Sequence, residues 1–166
     1  MKPSERPTRT PCIGVCSTTY GDLVCRGCKR YSHEIVQWNG YTDVQRQRVR
    51  VRLETLQAQA VETFVRVIQP DQLSRCCRQY GVDTDNSEDP RSSIYHLLRV
   101  LCRAGRMAGG TAQFDMTLFP GELQEIGLMA RTPGTSLRDT FELIEEEFYR
   151  RSIAHFEHSF RVPVDA

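Results

Sequence analysis

Helical periodicity dominates the chain from residue 42 onward. Thr42 with Gln45 three positions later forms a capping-box signal, and apolar side chains then recur at three- and four-residue spacing. Because proline ends a helix, the pattern predicts one long helix from about Thr42 to about Gln69, just before Pro70. Its apolar positions are Val49, Leu53, Leu56, Ala60, Phe64 and Val67.

Helical spacing also predicts a short helix over residues 32–38 and four more helices after the long one. Ser32 and Ser136 are candidate N-caps, and Gly81 is a candidate helix stop. The alternation in RVRVRL, residues 48–53, suits the long helix, since a helix spreads alternate residues around its surface. The later helices span residues 71–81, 93–107, 120–130 and 136–156, with loops at 82–93 and 108–116.

These elements predict a mostly α fold. A small N-terminal four-cysteine metal knuckle precedes an all-α helical body of about five helices. We divide the chain into residues 1–41, the knuckle with its short helix, and residues 42–166, the helical domain. A length of 166 residues with 39% hydrophobic content suits one ordinary core with a small appended module.

The hydropathy of the chain argues against a membrane location. Its start lacks the apolar run of a secretory signal peptide, and no segment approaches the roughly 18 apolar residues that cross a bilayer. We therefore expect a soluble cytoplasmic protein that does not enter a membrane.

Charge is divided unevenly along the sequence. Residues 1–69 carry eleven Lys/Arg against six Asp/Glu, a net +5, while residues 70–166 carry eleven against fifteen, a net −4. Such asymmetry marks either a nucleic-acid face or two complementary surfaces. It leaves the class of partner open.

Four of the seven cysteines lie within seventeen positions, in the pattern C-x3-C-x8-C-x2-C. In a reducing cytosol, clustered cysteines more often bind metal or do redox work than form disulfides. Gly14 and Gly27 lie inside the two tight turns, where a missing Cβ lets backbone N–H groups point at sulfur. The sequence predicts one closed four-thiolate site per chain, with the ligands Cys12, Cys16, Cys25 and Cys28.

The identity of the metal stays open between Zn²⁺ and an iron–sulfur cluster, both of which take four cysteines. The spacing matches neither of two common ferredoxin patterns, and the C-x2-C pair is like half of a zinc ribbon, which leans toward zinc. Either centre carries a net charge of about −2 that needs local compensation. The basic residues near the cysteines are Arg9, Arg26, Lys29 and Arg30.

The stretch PCIGVCSTTYGDLVCRGCKRYSHEIVQW, followed by the helix start at Thr42, closely resembles the bacterial domain-of-unknown-function family 1289. Members of that family are described as predicted iron–sulfur proteins, and the resemblance covers roughly residues 10–60. It implies that the four clustered cysteines are metal ligands and that Glu34, Ile35 and Trp38 belong to a recurring helix. It implies no reaction or substrate.

Basic and aromatic residues near the cysteines form a candidate surface for a macromolecular partner, either protein or nucleic acid. An alternative role for Trp38 is to lock the knuckle onto the helices. An alternative role for the basic residues is to balance the charge of the metal centre. The candidate partner-binding residues are Arg26, Lys29, Arg30, Trp38, Arg46 and Arg50.

The remaining cysteines and histidines give no catalytic constellation. We expect Cys76 and Cys77 to pack in a helix and Cys102 to lie in the core. His155 and His158 lack the glutamates of a di-iron motif. The leading hypothesis is therefore a non-enzymatic metal-binding module for a macromolecular partner, and the alternative is an iron–sulfur redox or oxygen-sensing protein.

Overall fold

The computed structural model describes residues 10–84, 89–107 and 122–160, without the side chains of 104–107. The predicted loop at 108–116 therefore lies outside the described residues. Five α-helices are present in the described part of the chain, so the predicted mostly α fold is confirmed. They are α1 Ser32–Gln37, α2 Asp43–Phe64, α3 Pro70–Gln79, α4 Pro90–Met107 and α5 Leu137–Phe160.

Two of these helices begin where their capping residues predict. The hydroxyl of Thr42 accepts the Gln45 N–H at 3.3 Å, and the Gln45 side chain accepts the Thr42 N–H at 2.8 Å. The hydroxyl of Ser136 likewise accepts the Asp139 N–H at 3.1 Å. These reciprocal bonds satisfy backbone donors that the first turn of a helix leaves unpaired.

The prediction that the long helix continues to Gln69 is wrong. The helix ends at Phe64, and Val65–Val67 forms strand β1. This strand pairs antiparallel with β2, Leu128–Ala130, in the register Val65 to Ala130. The β-branched residues at this point suit a strand once a partner strand is available.

The predicted helix at 120–130 is also wrong over its described residues. It contains a 3₁₀ turn, Leu123–Ile126, followed by β2. Gly127 separates the two with φ +79°, and its carbonyl accepts the N–H groups of Ile68 and Gln69. A Cβ at Gly127 would lie 2.4 Å from the Gln69 carbonyl oxygen, so only glycine allows this approach.

The chain forms two compact units, whose boundaries fall inside α2 and α5. The first unit is Met1–Leu53 with Tyr149–Ala166, and the second is Glu54–Phe148. The predicted division into residues 1–41 and 42–166 stays a prediction. Buried side chains of the second unit include Leu97, Leu98, Ile126, Leu128 and Ile144, with Cys76, Cys77 and Cys102 among them as expected.

None of the helices in the described ranges is both long enough and apolar enough to cross a membrane.

Candidate metal centre

Residues 24–31 form a tight hairpin that carries two of the clustered cysteines. Val24 and Tyr31 form an antiparallel bridge, and the Cys25 N–H donates to the Arg30 carbonyl at 2.9 Å. Lys29 closes the turn with a left-handed φ of 60°, and its N–H donates to the Cys25 carbonyl at 2.8 Å. The hairpin thus holds Cys25 and Cys28 on one short loop.

Backbone N–H groups surround the fully buried sulfur of Cys25. Burial raises the pKa of this thiol, but hydrogen bonds from the backbone of Cys28, Ser17 and Gly27 outweigh burial. Together with the Cys28 side chain they lower the pKa from 9.0 to about 7. Because Ser17 follows Cys16 and the other donors belong to the hairpin, both cysteine turns contribute to this environment.

The thiol of Cys28 is also buried, and burial raises its pKa. The Nε–H of Arg30 opposes this by donating to the Cys28 sulfur at 3.4 Å. The Cys28 side chain is also among the groups that lower the pKa of the Cys25 thiol. The structure therefore brings these two predicted ligands together.

The first two cysteines are more open to solvent. Cys12 is exposed, and its sulfur accepts the Gly14 N–H at 3.4 Å. Gly14 has φ +87°, as a left-handed turn position requires. Cys16 is half-buried, with its sulfur 3.0 Å from the Thr18 hydroxyl.

The turn between Cys12 and Cys16 packs against the hairpin. The Cys25 thiol lies 3.5 Å from the carbonyl oxygen of Val15, and the Arg26 N–H donates to the Ser17 hydroxyl at 2.9 Å. A Cβ at Gly27 would lie 2.5 Å from the Val15 carbonyl oxygen. The absence of a side chain at Gly27 therefore permits the two turns to meet.

Two cations lie in the interior directly after Cys28. Lys29 is 1% exposed and Arg30 is 3% exposed. The Lys29 ammonium donates to the Gly27 carbonyl at 3.2 Å, and the Arg30 guanidinium lies 4.8 Å from the centre of the Trp38 ring. Buried cations are costly unless nearby groups compensate their charge.

This burial corrects part of the predicted partner surface. Lys29, Arg30 and Trp38 are internal side chains, so we no longer assign them contact with a partner. Sequence reasoning placed the two cations at the surface because charged residues are seldom fully buried. The burial of Trp38 agrees with the alternative of packing, and its role stays a prediction.

The other three candidate partner residues retain some solvent exposure. Arg26 is exposed, pairs with Asp22 at 3.1 Å, and stacks over Tyr149 at 5.0 Å. Arg46 is half-buried and donates to the Trp38 carbonyl at 3.3 Å. Arg50 is half-buried as well.

An ion pair with little solvent exposure joins α1 to α2 within the first unit. The Glu34 carboxylate accepts both terminal nitrogens of Arg52 and the Tyr31 N–H at 2.9 Å. The Arg52 guanidinium also lies 3.8 Å from the centre of the Tyr31 ring. These contacts fix the end of the hairpin relative to α2.

The last turns of α5 contribute side chains that sequence reasoning did not connect with the cysteines. The Tyr31 hydroxyl lies 2.7 Å from Nδ1 of His155, and the Phe156 ring meets the Tyr31 ring edge-on at 4.9 Å. Burial, with the nearby charge of Arg52, lowers the pKa of His155. The only sequence signal was the helical spacing of aromatic residues near the end of the chain.

The donor chemistry of this segment suits a metal centre. Four thiols lie on two turns that touch, and buried cations adjoin one of them. Within the described ranges, no three Cys, His, Asp or Glu side chains are close enough together to hold a metal ion. Cys25 and Cys28 lie on the same hairpin, but no third cysteine lies close enough to both of them to complete a ligand set in the described ranges.

Residues 10–57 match the sequence model of a family described as Protein of unknown function (DUF1289). The match confirms the resemblance over this segment. It ends within α2, so most of the chain lies outside it. No curated protein matches the chain, and no solved structure matches it either.

Proposed function

We propose that the chain is a non-enzymatic metal-binding protein whose cysteine segment binds a macromolecular partner. One four-thiolate centre per chain, either Zn²⁺ or an iron–sulfur cluster, would be held by Cys12, Cys16, Cys25 and Cys28. The observation that carries this proposal is the meeting of the two cysteine turns around the buried sulfur of Cys25. A bound metal would supply folding free energy that so short a segment does not obtain from apolar burial.

A buried cation adds support from charge. A metal ion with four thiolates has a net charge of about −2, and Arg30 brings a positive charge into the interior, where its Nε–H donates to the Cys28 sulfur. All seven cysteines are free thiols. We place the protein in the cytoplasm, because a reducing compartment keeps such thiols available for metal.

Exposed apolar side chains favour a protein as the partner. Val15, Tyr20 and Leu23 lie on the cysteine segment and are 64%, 92% and 59% exposed. Exposed apolar and aromatic side chains are typical of surfaces that bind proteins, whereas phosphate contacts are made by basic groups. The candidate stacking residue Trp38 is buried, which weakens the case for nucleic acid.

Metal analysis of protein purified without oxygen tests the first half of the proposal. We expect one centre per chain, seen either as one zinc without acid-labile sulfide or as iron with matching sulfide. A wild-type protein free of both metals would contradict the proposal.

Partner binding is tested by anaerobic affinity purification of the full chain after nuclease treatment. We expect a co-purifying protein with wild type that is lost when Tyr20→Ser and Leu23→Ser are combined. Val44→Ser is the matched control, since Val44 is 63% exposed on α2. No co-purifying protein and no affinity for RNA or DNA would contradict the proposal.

The alternative is an iron–sulfur protein that carries electrons or senses redox state or oxygen. The exposure of Cys12 and the partial exposure of Cys16 favour it, because oxidants reach half of the ligand set from solvent. Anaerobic purification distinguishes the two: iron with matching sulfide supports this alternative, and a colourless protein with one zinc per chain removes it.

A further inference from the structure

Arg30 is buried between an aromatic ring and a thiol. Its Nε–H donates to the Cys28 sulfur at 3.4 Å, and its guanidinium carbon lies 4.8 Å from the centre of the Trp38 ring. The side chain is 3% exposed. Because the guanidinium is planar and always charged, this position delivers one fixed positive charge to the sulfur of a predicted ligand.

The buried carboxylate nearest in sequence is engaged elsewhere. Both oxygens of Glu34 accept hydrogen bonds from Arg52. Among the described residues, the acceptor of the Arg30 Nε–H is the Cys28 sulfur, which carries a negative charge when it binds a metal. A hydrogen bond from a charged donor to such a sulfur is stronger than one between neutral groups.

We propose that Arg30 is the internal counter-ion of the metal centre and raises its metal affinity. This inference rests on the proposed four-thiolate centre, and it names the residue that offsets the negative charge of that centre in the protein interior. Arg30 acts as a positioning residue: it orients the Cys28 sulfur and offsets part of the negative charge, while the thiolates alone bind the metal.

A neighbouring arginine offers a matched control. Arg46 also lies over the Trp38 ring, at 6.0 Å, but its hydrogen bonds go to the carbonyl oxygens of Trp38 and Asn39. Replacing Arg46 therefore removes a cation from the same ring without removing a donor to sulfur. Comparing the variants of the two arginines distinguishes the effect of positive charge at the metal centre from the effect of packing on Trp38.

The test compares wild type, Arg30→Gln, Arg30→Lys and Arg46→Gln as full chains. Zinc affinity is measured without oxygen by competition with a chromophoric chelator, and Co²⁺ absorption reports the ligand set. We expect Arg30→Gln to bind zinc about 10- to 100-fold more weakly, as for other groups that support metal ligands. Arg30→Lys and Arg46→Gln should stay within a few-fold of wild type, and Co²⁺ should show four-thiolate absorption in every variant.

Two results would contradict the proposed role of Arg30. Equal zinc affinity in Arg30→Gln and Arg46→Gln overturns the inference, and so does an equal loss in Arg30→Lys and Arg30→Gln, which would show a packing role. If Arg30→Gln fails to fold, as seen by circular dichroism, Arg30→Lys is compared with wild type instead: a zinc affinity within a few-fold supports the inference, and a loss of about 10-fold or more overturns it. A wild type that binds neither zinc nor cobalt refutes the proposed metal centre itself.

Discussion

The two compact units bury different kinds of side chain. In the first unit the cysteine segment encloses the thiols of Cys25 and Cys28 with the cations of Lys29 and Arg30. The second unit encloses mostly aliphatic and aromatic side chains, such as Leu98 on α4. Apolar burial stabilises a fold without further help, whereas buried charges need compensation. From this difference we expect the first unit, and not the second, to depend on a bound centre.

The largest expected effect comes from removing a ligand. Cys28→Ser should abolish metal binding and unfold residues 10–53, since metal binding contributes about 10–16 kcal/mol in small zinc modules. Limited proteolysis with mass spectrometry should show new cleavage sites in this segment and none in the second unit.

Cys102→Ala is the control for that substitution. Cys102 is buried on α4 and is not a predicted ligand, so metal content should stay at the wild-type level. Equal loss of metal in both variants would contradict the predicted ligand role of Cys28. Unfolding of both units in Cys28→Ser would contradict the expectation that only the first unit depends on metal.

The second substitution removes apolar contacts from the core of the second unit. Leu98 is fully buried on α4, and Leu98→Ala should lower the free energy of unfolding of the second unit by about 2–5 kcal/mol. Metal content per chain should not change. Urea unfolding measures the effect, with Val100→Ala, 38% exposed on the same helix, as a near-neutral control. A loss of metal in Leu98→Ala would contradict the expectation that the two units are stabilised by different interactions.

A smaller effect is expected where the two cysteine turns touch. Gly27→Ala places a Cβ against the Val15 carbonyl oxygen and should destabilise the cysteine segment by about 1–3 kcal/mol, as overpacking does. Zinc affinity measured by chelator competition should fall. Gly40→Ala, with open space around its added Cβ, should behave as wild type. Equal affinities in the two variants would show that contact between the turns is unimportant.

The smallest effect concerns an ion pair in the second unit. Hydrogen bonds from Arg91 hold the pKa of Asp89 below its usual 3.8, so the carboxylate stabilises the fold above that value and loses this contribution as pH falls through its lowered pKa. Relative to Asp89→Asn, wild type should gain less than about 1 kcal/mol at neutral pH, because solvent screens the pair. Urea unfolding at several pH values should show this difference vanishing in acid, and a difference independent of pH would contradict the assignment.

Local signals predicted much of the fold. The side chains of Thr42 and Ser136 cap the helices that follow them, because capping depends on residues only three positions apart. The end of α2 was missed, since the Val65–Val67 strand depends on a partner more than sixty residues away. A helical pattern that continues through such a segment gives no sign of that partner.

For the candidate site, cysteine spacing predicted four thiolate ligands, and the structure places two of them, Cys25 and Cys28, on one hairpin. The role of the four cysteines as ligands stays a prediction. The burial of Lys29 and Arg30 was missed because it depends on tertiary contacts that override the usual exposure of charged residues. The contact between Tyr31 and His155 was missed for the same reason, being long-range in sequence.

Hydrogen exchange before and after a metal chelator is added without oxygen tests the central claim most directly. We predict that amides of residues 10–53 lose protection when metal is removed, while those around Leu97 and Ile144 in the second unit keep it. Unchanged protection of residues 10–53, or equal loss throughout the chain, would contradict the claim that a metal centre stabilises the cysteine segment alone.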